Sequence, residues 1–239
     1  MDAIGEIVGP VLVISAHEDD IEIHAGGTIA RLVAAGTPVS YLLATSGNRG
    51  TGDRSVTMEE LAARREAEQR AAAAKLGVTD LTFLGFDDGD LMYEGRRLRE
   101  AFIRCIRATR PAAIITHDPL PGNGSADSCS IYPDHLTVGL TAFQAAFVCA
   151  PGPLFHPEHL EQGLEPWKPE RLFGFMSSQP DRFVEIGQVW EQKWAAIQEH
   201  RSQGRQLPRM EEFFQNIGRE LGERSGLELA EGFRLLLPT

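Results

Sequence analysis

Little in this 239-residue chain supports a disulfide scaffold, a nucleic-acid surface or a membrane span. Its three cysteines, Cys105, Cys129 and Cys149, are odd in number, far apart and form no CxxC pair, which argues against a disulfide framework and a thiolate zinc site. Basic clusters are short, Arg64-Arg65 and Arg96-Arg97 being the nearest to one, and the net charge is −11. A phosphate-backbone binder needs a basic stripe to release counterions, so no nucleic-acid partner is expected. No apolar run approaches the roughly 20 residues that cross a bilayer, and no membrane partner is expected. Residues 1–6 lack the positive segment and small-residue cleavage site of a secretory leader, so the expected location is the cytoplasm. The glycine-rich turn that a dinucleotide site needs after its first strand is missing as well.

What is present is globular material, 42% hydrophobic and 24% charged, enough for a buried core in one domain over 1–239. Apolar runs alternate with helix-period stretches, which predicts an α/β, Rossmann-like fold with a mostly parallel, doubly covered sheet. Strands are expected at 10–16, 38–45, 80–84, 112–116, 171–176 and 182–186. Helices are expected at about 27–35, 57–76, 97–109, 133–148, 190–201 and 209–223. The second helix carries its own punctuation, a Thr57/Glu60 capping pair and a closing Gly77. Segment 118–133, rich in proline, glycine and small polar residues, is a long loop of the kind that serves a site. Segment 151–169 has five prolines and reads as irregular, with His156 and His159 on its surface.

The strongest chemical signal directly follows the first strand: His17-Glu18-Asp19-Asp20-Ile21-Glu22. In open α/β sheets the ligand crevice lies beyond the carboxyl ends of the strands. Clustered carboxylates there repel one another and any phosphate unless a cation sits among them. His17 and Asp20, at i and i+3, can converge on one ion. His135, in Tyr132-Pro133-Asp134-His135 after the fourth strand, completes a three-ligand site of the type catalytic zinc uses with one position open. The blander alternatives are carboxylates that cap the next helix, and a His135 hydrogen-bonded to Asp134. The first and fourth strands are often neighbours where the strand order reverses, which lets the two loops face each other.

Ala16-His17-Glu18-Asp19-Asp20-Ile21-Glu22 resembles the Ala-His-Pro-Asp-Asp-x-Glu signature of the PIG-L/LmbE-like family, zinc-dependent deacetylases of N-acetylglucosamine conjugates and related amidases. Tyr132-Pro133-Asp134-His135 resembles the family's His-Pro-Asp-His. The likeness continues in order through residues 45–51, 65–77, 83–85, Asp88-Gly89, 116–119, His200-Arg201-Ser202-Gln203 and Ala230-Glu231-Gly232-Phe233. It implies that His17, Asp20 and His135 bind zinc, although Fe2+ or another divalent ion suits the same donors. It also implies that Asp19 is the general base, that the substrate is a small-molecule amide, and that a homo-oligomer is possible. Arg65 would touch substrate, with Asp88 or Asn48 opposite for sugar hydroxyls, and Asp134 and His117 would support the ligands. From the residues alone, Arg65 fits an i,i+4 ion pair equally well, and His117 fits a packed core histidine.

Two positions depart from the family pattern. Glu18 replaces a proline, and Tyr132 replaces the histidine thought to assist the oxyanion. A neutral phenol can donate a hydrogen bond but carries no positive charge at pH 7, so Tyr132 is expected to be a weaker donor, or His117 to act in its place. The alternative function is a family member that binds a metal or amide ligand without turnover. Cys129, three residues before Tyr132, has no evident activating partner for a nucleophilic role. The Arg-rich, Lys-poor composition suits a high-GC bacterium, in which such hydrolases also serve specialised metabolism.

Overall fold

The computed structural model describes residues 2–120, 132–204 and 208–237. Every residue of Val11–Ser15 (β1) is buried; Val11 and Val13 join the apolar cluster on one side of the sheet, Leu12 and Ile14 the cluster on the other. A continuous apolar run is what a parallel strand covered on both faces requires. Val39–Thr45 (β2), Asp80–Phe86 (β3), Ala113–His117 (β4) and Arg171–Phe175 (β5) lie parallel to it. Arg182–Glu185 (β6) and Ala230–Leu237 (β7) complete a seven-stranded sheet in the order β3-β2-β1-β4-β5-β7-β6, with β7 antiparallel to both neighbours. β1 and β4 pair in register, Val11 with Ala113 and Val13 with Ile115. The order reverses between them, which opens a crevice at their carboxyl ends.

Asp20–Ala34 (α1), Met58–Leu76 (α2), Trp190–Ile197 (α6) and Pro208–Ser225 (α7) contribute to the first cluster through Ile21, Ile29, Leu76, Trp194 and Phe214. Gly95–Thr109 (α3) and Pro133–Gln144 (α4) cover the other side through Phe102, Ile106 and Val138. A one-turn helix, Glu158–Glu161 (α5), follows. The capping box of α2 is formed as expected, Thr57 Oγ1 accepting from the Glu60 N–H and the Glu60 carboxylate from the Thr57 N–H. Among the described residues no helix is long and apolar enough to cross a membrane.

Four expectations are corrected. Helix α1 starts at Asp20, seven residues ahead of the predicted Gly27. The N–H groups of Gly27 and Thr28 do bind a carboxylate, as they would at a helix start, but it is that of Glu231 on β7, at 2.8 and 2.7 Å. Gly27 is needed there because a Cβ would lie 2.6 Å from Ile186. Helix α4 gives way at Ala145 to a π-helical turn through Cys149 instead of continuing as α-helix to 148. β7 was expected only as a family motif and is a full strand. His159 is buried, not on the surface, with Nε2 2.7 Å from the Glu100 carboxylate on α3. The irregular segment around it is held by the guanidinium of Arg107, which donates to the carbonyls of Cys149, Ala150, Gly152, Phe155 and His156.

His24, on α1, stacks on Phe175 with ring centres 5.6 Å apart, and burial pushes its imidazole pKa down to about 3. A base whose folded pKa is depressed stabilises the fold above its unfolded pKa and loses that contribution as the pH falls toward the folded value. Compared with His24→Gln, the wild type is therefore expected to lose up to about 1.4 kcal/mol more stability per pH unit below about pH 6.5. Urea unfolding of both proteins at neutral and mildly acidic pH tests this, and parallel curves would remove the assignment.

Candidate metal centre

Between the end of β1 at Ser15 and the start of α1 at Asp20 the chain turns in four residues. Asp19 takes the left-handed conformation, φ 95°, which aspartate and asparagine enter more readily than most side chains. The Asp20 carboxylate accepts from the Ser15 hydroxyl at 3.0 Å and from the His17 N–H at 2.9 Å, closing the turn. This brings His17 Nδ1 to 3.2 Å from His135 Nε2 and 3.6 Å from Asp20 Oδ2, with His135 Nε2 3.4 Å from Asp20 Oδ1. Donors about 2.1 Å from a tetrahedral ion are about 3.4 Å apart, so the three side chains fit one divalent cation and leave a fourth position open. All three are buried.

The surroundings favour positive charge. His17 turns its other nitrogen, Nε2, toward the carboxylates of Asp88 at 3.1 Å and Asp134 at 3.2 Å. An N–H on Nε2 leaves the Nδ1 lone pair facing Asp20 and His135, the arrangement by which outer carboxylates orient metal-ligating imidazoles. Burial alone would lower the His17 pKa, but hydrogen bonds to Asp134, Asp20 and Asp88 raise it well above its ordinary value. Burial likewise pushes Asp20 up, and His135, His117 and His17 more than reverse it. The pocket thus stabilises a cation at its centre, whether a proton on imidazole or a metal ion.

Asp134, on the first turn of α4, also accepts the N–H groups of Gly89 and Leu91 at 2.7 and 3.3 Å. Helix α4 can come this close because residue 139 is glycine; a Cβ there would lie 2.6 Å from the His117 carbonyl oxygen. His117, at the end of β4, accepts the Ala16 N–H at Nε2, 3.1 Å, and its ring stacks on His135 at 4.4 Å. Burial pushes its pKa down to about 4, so it is a neutral support. It is only 1% exposed, and its Nδ1 has no hydrogen-bond partner among the described residues. Tyr132 is 40% exposed at the rim, with its hydroxyl 3.3 Å from Asp88 Oδ1.

The residues expected at the substrate also make contacts within the protein. Arg65 is buried and donates to the carbonyls of Glu18 at 2.6 Å and Gly47 at 3.3 Å. Its Nε is 3.2 Å from the Glu18 carboxylate, and its Nη2 is 3.7 Å from Asp19 Oδ1. The guanidinium braces the metal loop from beneath, and the helix-surface ion pair is not formed. Glu18, where the family has proline, is its buried counter-ion; burial pushes the carboxyl up to about 7 against the pull of Arg65. Asn48 donates to Asp87 at 2.7 Å and accepts the Asp88 N–H at 3.1 Å, fixing the turn that carries Asp88. Cys129 lies outside the described residues.

Gln69, one helical turn after Arg65, lies within the 65–77 stretch of the family likeness but is not singled out by it. Its Oε1 accepts the Asp19 N–H at 3.3 Å, and its Nε2 donates to Glu22 at 2.9 Å. Glu22 in turn meets His200 Nε2 at 3.1 Å, and both are fully buried. Glu22 and His200 stand in family motifs, which is the one signal that could have linked them.

An open α/β sheet with an imidazole–carboxylate cluster at its switch point places this chain among the α/β proteins whose ligand site lies beyond the carboxyl ends of the strands. Residues 12–146 match the PIG-L family, described as GlcNAc-PI de-N-acetylase, and the chain belongs to this family of LmbE-like deacetylases. The diacetylchitobiose deacetylase of Thermococcus kodakarensis is 35% identical over 235 residues, 96% of this chain and 84% of that one. The probable N-acetyl-α-D-glucosaminyl L-malate deacetylase 2 of Bacillus cereus is 29% identical, covering 81% of this chain and 83% of its own. The structure of N,N'-diacetylchitobiose deacetylase from Pyrococcus horikoshii superposes with a TM-score of 0.88 at 31% identity, over 98% of this chain and 86% of that one.

Proposed function

We propose that this protein is a zinc-dependent deacetylase that removes the acetyl group from the amide nitrogen of an amino sugar or a glucosamine-thiol conjugate. One observation carries the reading: one donor atom each from His17, Asp20 and His135 lies within 4.8 Å of the others in a buried pocket that favours a cation. Two of the relatives are named for substrates that contain an N-acetylglucosamine unit, which supports the substrate class. Fe2+ suits the same nitrogen and oxygen donors. A divalent ion bound there supplies Lewis-acid activation of water and of the amide carbonyl.

The chain's own groups do the rest. Asp19 takes a proton from the attacking water and delivers it to the departing amine nitrogen, so acetate and a free amine leave. Arg65 and Gln69 hold the backbone of residues 18 and 19 in place for that transfer. Tyr132 donates its O–H to the carbonyl oxygen as that atom gains charge. Burial and the neighbouring Asp88 raise the phenol above its ordinary pKa, so it acts as a neutral donor. Tyr132→Phe is expected to lower kcat about 100-fold with KM little changed. Tyr132→His, which restores the family residue, is expected to raise kcat on N-acetyl sugars, because a charged donor makes the stronger hydrogen bond.

The test is metal content and acetate release together. Protein purified without added ions is expected to hold about one zinc per chain. The His17→Ala/Asp20→Ala double variant is expected to have lost it, and only the wild type should release acetate from diacetylchitobiose or a glucosaminyl conjugate. A wild type that holds no metal at these residues even when zinc is supplied would overturn the reading. A metal-loaded wild type that releases no amine from any N-acyl sugar would leave a binding role in its place.

A further inference from the structure

We propose a second metal site, outside the catalytic centre, in which His156, Glu158 and His159 bind a borderline divalent cation such as Zn2+ against helix α3. One ligand atom from each of the three lies within 4.8 Å of the others. His159 is the anchor. It is fully buried, and its Nε2 is 2.7 Å from the Glu100 carboxylate. With the N–H on Nε2, Nδ1 is left as a bare lone pair in the interior, and it has no hydrogen-bond partner among the described residues. A buried acceptor left without a partner costs free energy, and a bond to a cation would satisfy it. The Glu100–His159 pair repeats the carboxylate–imidazole support that Asp88 and Asp134 give His17. Arg104 shares the same Glu100 oxygen at 2.9 Å, so Glu100 orients the imidazole and is not itself a ligand.

His156 shows a second sign of a built position. Its φ is +55°, a conformation a non-glycine residue keeps only where its surroundings impose it. Arg107 imposes it by gripping the carbonyls on either side of the turn, including that of His156. The result sets the His156 ring 5.2 Å from that of His159 and its Nδ1 2.8 Å from the Glu158 carboxylate. His156 and Glu158 border a groove of about 440 Å3, which gives an ion a path from solvent and leaves room for water at its remaining positions. Two imidazoles and one carboxylate select zinc, nickel or cobalt over magnesium or calcium. The bound ion would fasten the segment around α5 to α3.

Equilibrium dialysis against Zn2+ and Ni2+ tests the site without any assay of activity. In the His17→Ala/Asp20→Ala background, which carries no metal as purified, about one added ion per chain is expected to bind at micromolar free concentration, with a rise in Tm. His156→Asn tolerates the left-handed backbone and Glu158→Gln alters an exposed side chain, so both should fold; each is expected to weaken binding ~10-fold or more. The wild type should show the same dependence for a second ion beyond the tight one, which frees the test from the folding of the double variant. Failure to bind in either background, or affinity unchanged in both single variants, overturns the proposal and leaves the catalytic site untouched.

Discussion

Asparagine in place of Asp19 is expected to reduce kcat for amide hydrolysis by about 100- to 10,000-fold while metal content stays at the wild-type level. Asparagine has the same shape but cannot take a proton, so it removes the transfer and little else. The choice matters because Asp19 sits at φ 95°, where alanine would add backbone strain of its own. Asparagine tolerates that region, and its N–H can still donate to Gln69 Oε1. KM should move little, because the lost interaction belongs to the transition state. Steady-state kinetics with elemental analysis of the same samples decides it. Activity within about tenfold of wild type would take the general-base role away from Asp19.

Lys193→Met is expected to destabilise the protein by about 3–5 kcal/mol, the cost of leaving one partner of a buried ion pair alone. The Lys193 ammonium is 2.6 Å from Glu231 and 2.8 Å from the Ile23 carbonyl, and both charged side chains are almost wholly buried. Without it, the Glu231 carboxylate keeps, among the described residues, the N–H groups of Gly27 and Thr28. Replacing both charges with apolar side chains often restores stability in other buried pairs. Here Lys193→Met/Glu231→Leu is expected to stay destabilised, since the two backbone donors in α1 lose their acceptor. Urea unfolding of the single and double variants measures both, and a single-variant loss under about 1 kcal/mol would show that the pair does not hold α1.

How much of this was legible in the sequence depended on how local each cause was. Helix α2 is announced by Thr57, Glu60 and Gly77, all within or beside it, and its boundaries follow. β1 is legible because both its faces are buried, and the switch point follows from the strand order. His17, Asp20 and His135 stand out in the sequence because chemistry concentrates at strand ends, and the structure brings their donor atoms within 4.8 Å of one another. The start of α1 was misplaced because Gly27 and Thr28 answer to a carboxylate 204 and 203 residues away, which no window on the sequence contains. Arg65 and Asn48 are legible by position, but the loop contacts each makes are not. Whether a side chain faces a substrate or grips the loop beneath it depends on which carbonyls lie within 3 Å, and periodicity does not carry that. His159 reads as a surface residue from its proline-rich neighbours, whereas it is buried with a partner, Glu100, that comes from a helix distant in sequence.

The link from α1 to Glu231 also orders events during synthesis. Helix α1 carries Asp20 at its first position, and the side chain that receives its mid-helix N–H groups is 204 residues downstream. At 5–20 residues per second the ribosome needs roughly 10–40 s to cover that distance. For that interval Gly27 and Thr28 have been made while the strand that carries their acceptor has not. Such a long-range closure comes late in folding. Until the last strand of the sheet is laid down, α1 therefore lacks the carboxylate that receives its Gly27 and Thr28 N–H groups.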